Sequence, residues 1–344
     1  MSTWQDLKNN PRLREIYFKR IELIKLIREW FWSQGFLETE TPLAVRFPGQ
    51  EPYLNPVPVE LTDPQGVSNQ FYLHTSPEYF MKKLLASGFN KIFQITKTFR
   101  NHESFGGLHN PEFTMIEWYR APGTYREIMD DAEKLFKFVG KKIGVGKLIY
   151  KEKNVDILGE WDRMTMKEVW KKYAGLDLDN NLTIEQLSQT VRQNGYSVAE
   201  DDAYEDLFFK IFLNEIEPKL GINKPVFVYN YPAQMCSLSR PCEGDARYAE
   251  RFELYVGGVE LANAFGELTD ASEQKLKLEQ DKKHREQLGK PVWPVDQDFI
   301  AALSSGIPSA SGVALGVDRM IVLFTGAKDI NEVIFGSAQD QINN

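Results

Sequence analysis

Apolar positions near the start of the chain recur every three or four residues. They are Leu13, Ile16, Tyr17, Ile21, Ile24, Ile27 and Phe31. This spacing is typical of an amphipathic helix that packs one face against a core, and Gly35 provides its end. A second helix is predicted over residues 76–88. Ser76 is a suitable N-cap, Pro77 suits the first helical position and Gly88 suits the stop.

Two segments of strand composition flank a polar loop between residues 91 and 120, which predicts a long antiparallel hairpin. Alternate residues of its second strand share one face. They are Phe113, Met115, Glu117 and Tyr119. A carboxylate between aromatic side chains is an unusual core component, because a buried charge needs a partner, but it suits a pocket for a cation. Arg100 closes the first strand, where its guanidinium can grip a phosphate. The hairpin therefore predicts a phosphate site, an aromatic platform and an amine acceptor.

Residues 251–265 predict a second hairpin whose turn is a pair of glycines. The turn sets a register in which Glu253 faces Ala262. Glu253 and Glu260 then become diagonal neighbours, about 7–8 Å apart at Cα. Two carboxylates this close repel each other unless a cation lies between them. The pair indicates either a magnesium site, which one or two carboxylates and substrate phosphates commonly form, or two separate surface ion pairs.

Polar residues further along the second strand of this hairpin could contribute to the same site as Glu253 and Glu260. Asn263 and Glu267 differ in parity from Glu260, so a β-bulge near residues 262–264 is needed to bring them to the same face.

The segment GVALGVDR, residues 312–319, predicts a glycine-rich strand that leads into a helix. Gly312 and Gly316 let the backbone approach a ligand closely, although close packing alone also explains such glycines. Arg319 lies at the start of the helix, where the helix dipole disfavours a cation. We therefore expect Arg319 to meet an anion or to stack on a flat ring.

The rest of the chain interleaves strands and helices. Thr124 and Glu127 form a capping box that predicts a helix to about Val139, and residues 226–231 predict a strand. Residues 141–220 are charged and predict a mostly helical insertion. The order of elements favours an α+β fold, an antiparallel β-sheet flanked by helices, over a doubly wound fold.

Composition narrows the function classes. The 344 residues carry a net charge of −8, which argues against a protein held mainly by nucleic-acid phosphates. Cys236 and Cys242 fit neither a disulfide framework nor a zinc site, and the histidines show no metal-binding spacing. No apolar run approaches the roughly 20 residues that a membrane span needs, and no signal peptide is visible. A cytoplasmic protein is the simplest expectation.

Several motifs together resemble class II aminoacyl-tRNA synthetases. LETETP (residues 37–42) is similar to the first signature motif, FRN with HNPEFTMIEWY to the second, and GVALGVDR to the third. SPEYFMKKLL and RFELYVGGVELANAFGELTD resemble the lysine branch. The similarity implies the class II catalytic fold in a single domain over residues 1–344. We expect no N-terminal anticodon-binding barrel, because the catalytic helix begins near the start of the chain. In this respect the chain resembles the synthetase-like ligases that attach (R)-β-lysine to elongation factor P.

The resemblance implies ATP and Mg²⁺ as cofactors and a role for individual residues. Arg100 would clamp the α-phosphate, and Phe113 and Arg319 would stack on the two faces of adenine, with both arginines catalytic. Other nucleotide contacts would come from Asn101, His102, Glu103, His109, Asn110, Glu260, Leu261 and Gly316. Magnesium would be held by Glu253 and Glu260. The substrate, lysine or (R)-β-lysine, would meet Ser76, Pro77, Glu78, Glu117, Tyr119, Asn263, Phe265, Glu267 and Ala314.

Two departures from the family pattern bear on this site. Arg100-Asn101-His102-Glu103 is one residue longer than the usual Arg-Asn-Glu, so either Glu103 or His102 would meet the adenine amino group. Ala314 stands where a glycine is typical of the tRNA enzymes. One methyl group in the pocket is worth about 1–3 kcal/mol of discrimination.

Three functions stay open. The first is a β-lysine ligase that acts on elongation factor P. The second is an enzyme that charges tRNA or another acceptor with lysine, and the third is a non-catalytic paralog. A tRNA acceptor is less expected, because the chain is acidic and no anticodon-binding domain is expected. The family also implies a homodimer, with residues 37–42 and the N-terminal helix near its interface.

Overall fold

The structure, a computed structural model, describes residues 3–342. The strands are β1 (Leu37–Glu38), β2 (Ala44–Val45), β3 (Val57–Thr62), β4 (Ser68–Leu73), β5 (Lys91–Phe99), β6 (Glu112–Arg120), β7 (Lys147–Tyr150), β8 (Lys153–Asp156), β9 (Asp162–Thr165), β10 (Val226–Pro232), β11 (Pro241–Cys242), β12 (Asp245–Val256), β13 (Val259–Gly266) and β14 (Ser311–Gly316). The helices are α1 (Trp4–Asn9), α2 (Pro11–Ser33), α3 (Glu78–Ala86), α4 (Tyr125–Lys142), α5 (Met166–Val169), α6 (Ile184–Gln193), α7 (Tyr204–Ile211), α8 (Ala271–Gln287), α9 (Gln297–Ser304), α10 (Val317–Thr325) and α11 (Ala338–Ile342).

A mixed, mostly antiparallel sheet forms the centre of the fold. Its strands lie in the order β1, β5, β6, β14, β13, β12, β10 and β9, and β11 pairs with β12. Among the described residues, the parallel strand pairs lie only at the two edges of this sheet, where β1 pairs with β5 and β9 pairs with β10. Helices flank this sheet, so the predicted α+β fold is confirmed.

The N-terminal helix forms as the apolar spacing predicts. Helix α2 ends just before Gly35, whose φ of 75° is a left-handed conformation that glycine adopts at low cost. The prediction is wrong for Ile21, whose side chain is 54% exposed. Helix α3 begins at Glu78, later than predicted, with Pro77 rather than Ser76 at the N-cap position. The Ser76 hydroxyl still accepts a hydrogen bond from the Glu78 N–H at 3.1 Å.

Helices α2, α4 and α10 cover one face of the sheet and form a core with it. The Phe31 ring stacks on Phe93 with ring centres 4.8 Å apart, and Trp118 lies 5.1 Å from Phe31. The predicted capping box at Thr124 and Glu127 is present at the start of α4. Since neighbouring residues of β6 point to opposite faces, burying Trp118 here turns Glu117 and Tyr119 to the other side of the sheet.

Residues 141–220 contain more strand than their charged composition predicts. Strands β7 and β8 form a hairpin, and β9 joins the edge of the main sheet beside β10. Helix α7 contributes Phe208, and the helical turn that follows α5 contributes Trp170, to a second buried cluster that also contains residues of β10 and β12. The pairing of Asp162 with Val226 is distant in sequence, so it leaves no local pattern.

The second predicted hairpin forms, but its register changes beyond the turn. Tyr255 faces Glu260 as the glycine turn requires, whereas Glu253 faces Asn263 and not Ala262. The extra residue is Leu261, so the predicted β-bulge exists slightly nearer to the turn. The bulge restores a common parity, because residue 260 before it and residues 263, 265 and 267 after it then share a face.

Among the described residues, no helix has both the length and the apolar character that a bilayer crossing requires.

Candidate active site

A cavity of about 680 Å³ opens on the face of the sheet opposite α2 and α4. Its floor comes from the first hairpin, the second hairpin and β14, and α3 and the loop before β6 form part of its walls. Polar groups with different chemistry lie at different parts of it: arginines near the β5–β6 loop, and carboxylates near α3.

Arg100 occupies the part of the cavity near the β5–β6 loop. Its guanidinium lies 5.2 Å from the centre of the Phe113 ring. The Nε atom is buried and has no hydrogen-bond partner within residues 3–342. Because buried polar groups in folded proteins are normally paired, an orphaned guanidinium leaves a place for an oxyanion such as a phosphate.

Arg319 lies across from Arg100 at the start of α10. Its Nη1 donates to the Glu260 carbonyl at 2.8 Å, and its Nε donates to the Leu108 carbonyl at 3.2 Å. The Glu260 carboxylate lies 3.7 Å from Nη1. Two carbonyls and one carboxylate therefore offset the unfavourable position near the helix N-terminus. They also hold the guanidinium plane steady, as a stacking platform for a flat ring requires.

The β5–β6 loop absorbs its additional residue at His102. This residue is exposed with a φ of 62° and does not line the cavity. Glu103 does line it, and its Oε2 lies 2.8 Å from the His109 Nδ1 atom. That hydrogen bond is the main reason that the pKa of Glu103 lies below its usual value. The loop geometry thus favours Glu103 over His102 as the partner of an adenine amino group.

Asn110 connects the same loop to the C-terminal segment. Its side-chain nitrogen donates to the Glu112 carbonyl at 2.5 Å, and its side-chain oxygen accepts from the Ala338 N–H at 3.1 Å. These contacts fix the loop where it enters β6.

A cage of buried carboxylates lies at the α3 end of the cavity. It consists of Glu78, Glu117 and Glu267. The Ser76 hydroxyl donates to Glu117 Oε1 at 2.5 Å, and the Tyr119 hydroxyl donates to Glu117 Oε2 at 2.8 Å. Oε1 of Glu267 is buried without a hydrogen-bond partner among the described residues. Acceptors of this kind suit ammonium groups, which each want charge-assisted hydrogen bonds.

Burial and mutual repulsion hold protons on this cage. Burial, followed by the charge of Glu78, raises the pKa of Glu117 to about 8. Burial raises the pKa of Glu267 to about 7, against the opposing effect of Lys82. A cation that enters the cage stabilises the ionised carboxylates and displaces these protons.

The two glutamates expected to hold magnesium have different surroundings. Glu253 Oε1 accepts from Arg251 Nη2 at 2.6 Å, and its Oε2 accepts from the hydroxyls of Tyr231 and Tyr255. Glu260 lines the cavity, and burial followed by the charge of Glu253 raises its pKa. Glu260 therefore fits a cation that also binds phosphate oxygens, while Glu253 would need to release a donor to bind one directly.

Comparison with known proteins decides the family. A model of the family described as tRNA synthetases class II (D, K and N) matches residues 2–338. The chain belongs to this class II synthetase family. Curated relatives within it are named elongation factor P–(R)-β-lysine ligase. The one from Edwardsiella ictaluri is 39% identical over 342 residues, with 97% of each chain covered. The one from Klebsiella pneumoniae (strain 342) is 38% identical over 341 residues, with 97% of each covered. The one from Histophilus somni (strain 2336) is 39% identical over 316 residues, with 92% of each covered.

The class II fold brings most of the predicted site residues to one cavity. Those that line it are Ser76, Glu78, Arg100, Glu103, His109, Asn110, Phe113, Glu117, Tyr119, Glu260, Leu261, Asn263, Phe265, Glu267, Ala314, Gly316 and Arg319. Those that do not are Pro77, Asn101, His102 and Glu253. Asn101 and His102 point into solvent because the loop turns there, and Pro77 is buried beneath the cage. The roles of these lining residues stay predictions.

Sequence reasoning missed two groups of residues in this class II site. Arg251 lines the cavity beside Asn263, whose Oδ1 accepts from its Nε at 3.1 Å. The period-two pattern of RFELY could have revealed it, since Arg251 and Glu253 share a face. The second group forms the outer wall of the cavity and comes from separate segments that carry no recognised sequence motif. Its polar members are Glu51, Tyr53, Glu205, Asp281 and His284.

Proposed function

We propose that this chain activates (R)-β-lysine, or lysine, with ATP and transfers it to a lysine side chain of elongation factor P. One observation carries the proposal: a single cavity joins the unpaired guanidinium of Arg100 to the carboxylate cage at Glu78, Glu117 and Glu267. The first suits a phosphate and the second suits ammonium groups, so ATP and a diamino acid fit side by side. The names of the relatives support the choice of (R)-β-lysine and elongation factor P.

In the first step, a carboxylate oxygen of the amino acid attacks the α-phosphorus of ATP. A phosphorus–oxygen bond forms, the bond from the α-phosphorus to the oxygen bridging to the β-phosphate breaks, and pyrophosphate leaves with the electron pair. Arg100 stabilises the charge on the α-phosphate, and the cage holds the amines so that the carboxylate lies in line. Positioning and charge stabilisation supply the catalysis.

In the second step, the neutral ε-amine of the acceptor lysine attacks the acyl carbon of the adenylate. A carbon–nitrogen bond forms, the carbon–oxygen bond to the phosphate breaks, and AMP leaves. The nitrogen loses one proton to solvent, so the product is an amide. The diamino acid keeps both of its own amines in the cage, which prevents them from competing as nucleophiles.

Magnesium, when bound, neutralises charge on the ATP phosphates and orients them. Glu260 would be the residue best placed to hold it, because Glu260 lines the cavity and its carboxyl senses the charges of both Arg319 and Arg100.

The outer part of the cavity offers the acceptor lysine a route to the adenylate. It lies between the loop at residues 46–56, helix α7 and helix α8. The Tyr53 hydroxyl lies 3.4 Å from Asp206 Oδ1, so the loop and α7 form a joined wall. Glu205 and Asp281 line this part of the cavity, where burial raises the pKa of both carboxyls, and an incoming ammonium group favours their ionised forms.

The proposal is tested by intact-mass spectrometry of elongation factor P after incubation with the enzyme, ATP, magnesium and (R)-β-lysine. We expect one added β-lysyl group, only when all components are present, and none on a variant factor whose acceptor lysine is replaced by arginine. A parallel reaction with lysine tRNA separates the alternatives. Charging of the tRNA, with no modified elongation factor P, would contradict the proposed acceptor.

A further inference from the structure

Lys82 lies beside the carboxylate cage, within the segment SPEYFMKKLL, although the sequence analysis assigned it no role. It projects from α3, and its side chain is 1% exposed. Its Nζ atom lies 2.6 Å from Glu78 Oε1 and 2.5 Å from Glu267 Oε2. One internal ammonium group therefore bridges two of the three carboxylates that face the cavity.

The charge of the cage follows from this arrangement. Three carboxylates and one fixed ammonium group leave two negative charges when the carboxylates are ionised. Two is the number of ammonium groups that lysine or β-lysine carries. Without Lys82 the three carboxylates would repel one another more strongly and would retain their protons to a higher pH, because like charges in a low dielectric disfavour ionisation.

The geometry points to Lys82 as a positioning residue: we propose that it holds Glu78 and Glu267 in a fixed orientation and favours the ionised form of Glu267, so that the cage selects a substrate with two ammonium groups. This inference rests on the proposed function and names the feature that sets its substrate class. Lys82 itself does not line the cavity, so it acts through the two glutamates.

Other charged and titratable groups near the cage also influence the pKa values of its glutamates. Glu117 and Tyr119 on β6 face the same space, and burial followed by the charge of Glu78 raises the pKa of Glu51 on the loop at residues 46–56. Arg240 adds positive charge near Glu267. From α9, the Phe299 ring centre lies 6.0 Å from Lys82 Nζ and supplies no ionisable group. Lys82 is the cation in direct contact with the cage carboxylates among the described residues.

The test compares Lys82→Met with Lys82→Arg and the wild-type chain. Lys83→Met is the matched control, because Lys83 pairs with Asp296 and Asp298 outside the cage. The readout is the KM for (R)-β-lysine in ATP–pyrophosphate exchange, measured from about pH 6 to 9.5, a range that spans the pKa values of the cage glutamates and the amines.

We expect Lys82→Met to raise the KM at neutral pH by about tenfold or more. The KM should also reach its plateau at a pH about one unit higher than in the wild type, since one pH unit corresponds to a tenfold change in the ratio of ionised to protonated carboxyl. The cause is that Glu267 loses the cation that favours its ionised form. The kcat at saturating substrate should change much less. Lys82→Arg should keep the wild-type pH profile, and Lys83→Met should match the wild type.

A purely structural role gives a different result. Lys82→Met would then lower the melting temperature and leave the pH profile of KM unmoved, which would overturn the inference. If Lys82→Met does not fold, Lys82→Arg decides, because a displaced pH profile in this charge-retaining variant would also overturn it. Absence of exchange in the wild type would instead count against the proposed function. Calorimetric titration with (R)-β-lysine would then still compare binding by the wild-type and variant chains.

Discussion

At the scale of single residues, the shape of the cage depends on one glycine. Gly312 pairs with Tyr119 across β14 and β6. A Cβ atom at position 312 would lie 2.1 Å from a Tyr119 ring carbon and 2.9 Å from Glu267 Oε1. The absence of a side chain therefore lets the tyrosine ring lie flat on the strand with its hydroxyl on Glu117. Sequence reasoning recognised this glycine as a place of close approach but left open whether it served a ligand or packing.

We expect Gly312→Ala to displace the Tyr119 ring and raise the KM for the diamino acid. A misplacement of about 1 Å at a site of this kind costs about a hundredfold in activity. Exchange kinetics measure the effect, and the melting temperature reports any general damage. Tyr119→Phe is the companion variant, because it removes only the hydroxyl. Unchanged kinetics in Gly312→Ala would show that the ring position does not matter.

The cage also predicts a pH dependence of stability. The pKa values of Glu117 and Glu267 are about 8 and about 7, above the roughly 4.3 of an unperturbed glutamate. From about pH 4 up to the folded-state pKa values of about 7 and 8, the folded chain therefore binds more protons than the unfolded chain. The free energy of unfolding consequently falls as the pH rises through this range. Below about pH 4 the two states bind these protons equally and the contribution is fully present.

We expect the melting temperature of the wild type, relative to Glu117→Gln, to fall as the pH rises from about 5 to 9 without substrate. The difference isolates Glu117 from other groups that titrate in the same range. Denaturation scans at several pH values give the measurement. A difference that is constant or rises with pH would mean that Glu117 is ionised in the free protein.

At the scale of elements, helix α8 holds the loop at residues 46–56 against the cavity. The buried Arg285 donates to the carbonyls of Glu51 at 2.8 Å and Leu54 at 2.7 Å. Its guanidinium lies 4.4 Å from the Trp293 ring centre, and the Trp293 Nε1 atom donates to the Pro48 carbonyl at 2.8 Å. The outer wall of the cavity is thus held in place by a helix that is rich in charged residues.

We expect Arg285→Ala to reduce the free energy of unfolding by about 3 kcal/mol, because hydrogen bonds from a buried charged group contribute about 1.5–3 kcal/mol each and are only partly replaced by water. Lys283→Ala, an exposed position on the same helix, should change it by less than about 0.5 kcal/mol. Chemical denaturation measures both. Equal stability of the two variants would contradict the role assigned to Arg285.

Local patterns explain which elements could be predicted. The first hairpin and α2 follow from period-two and helical spacing, because each has one buried face. The sequence shows that a bulge is needed to bring Glu260 and Asn263 to one face, but it does not place the bulge at Leu261. Its position depends on the pairing of β13 with both β12 and β14. The contact of Lys82 with Glu267 and the place of Glu205 in the cavity could not be assigned from sequence, because both depend on segments that are distant along the chain.

At the scale of the whole molecule, the fold leaves an apolar surface on its N-terminal part. Phe18 and Ile21 on α2 are 59% and 54% exposed, and Leu37 on β1 is 56% exposed. These residues lie in and beside the segments where the family resemblance implies a dimer interface. Exposed apolar residues can mark an interaction surface, so we propose that a second copy of the chain covers them.

We expect a homodimer in solution, and we expect Ile21→Glu to shift it towards monomer, because the interface would then bury an unpaired charge. Leu276→Glu, at an exposed position on α8, is the matched control and should leave the dimer intact. Light scattering coupled to size-exclusion chromatography measures the mass. A wild-type monomer would contradict the proposal, and so would a dimer that Ile21→Glu does not affect.

The most direct test of the account is ATP–pyrophosphate exchange with magnesium, in the presence of (R)-β-lysine, lysine or no amino acid. The wild-type chain should catalyse exchange only with a diamino acid. Arg100→Ala should lose the exchange while it keeps its melting temperature, because its guanidinium meets the α-phosphate but carries little of the fold. No exchange with either diamino acid, or full activity of Arg100→Ala, would contradict the claim that this cavity forms an aminoacyl-adenylate.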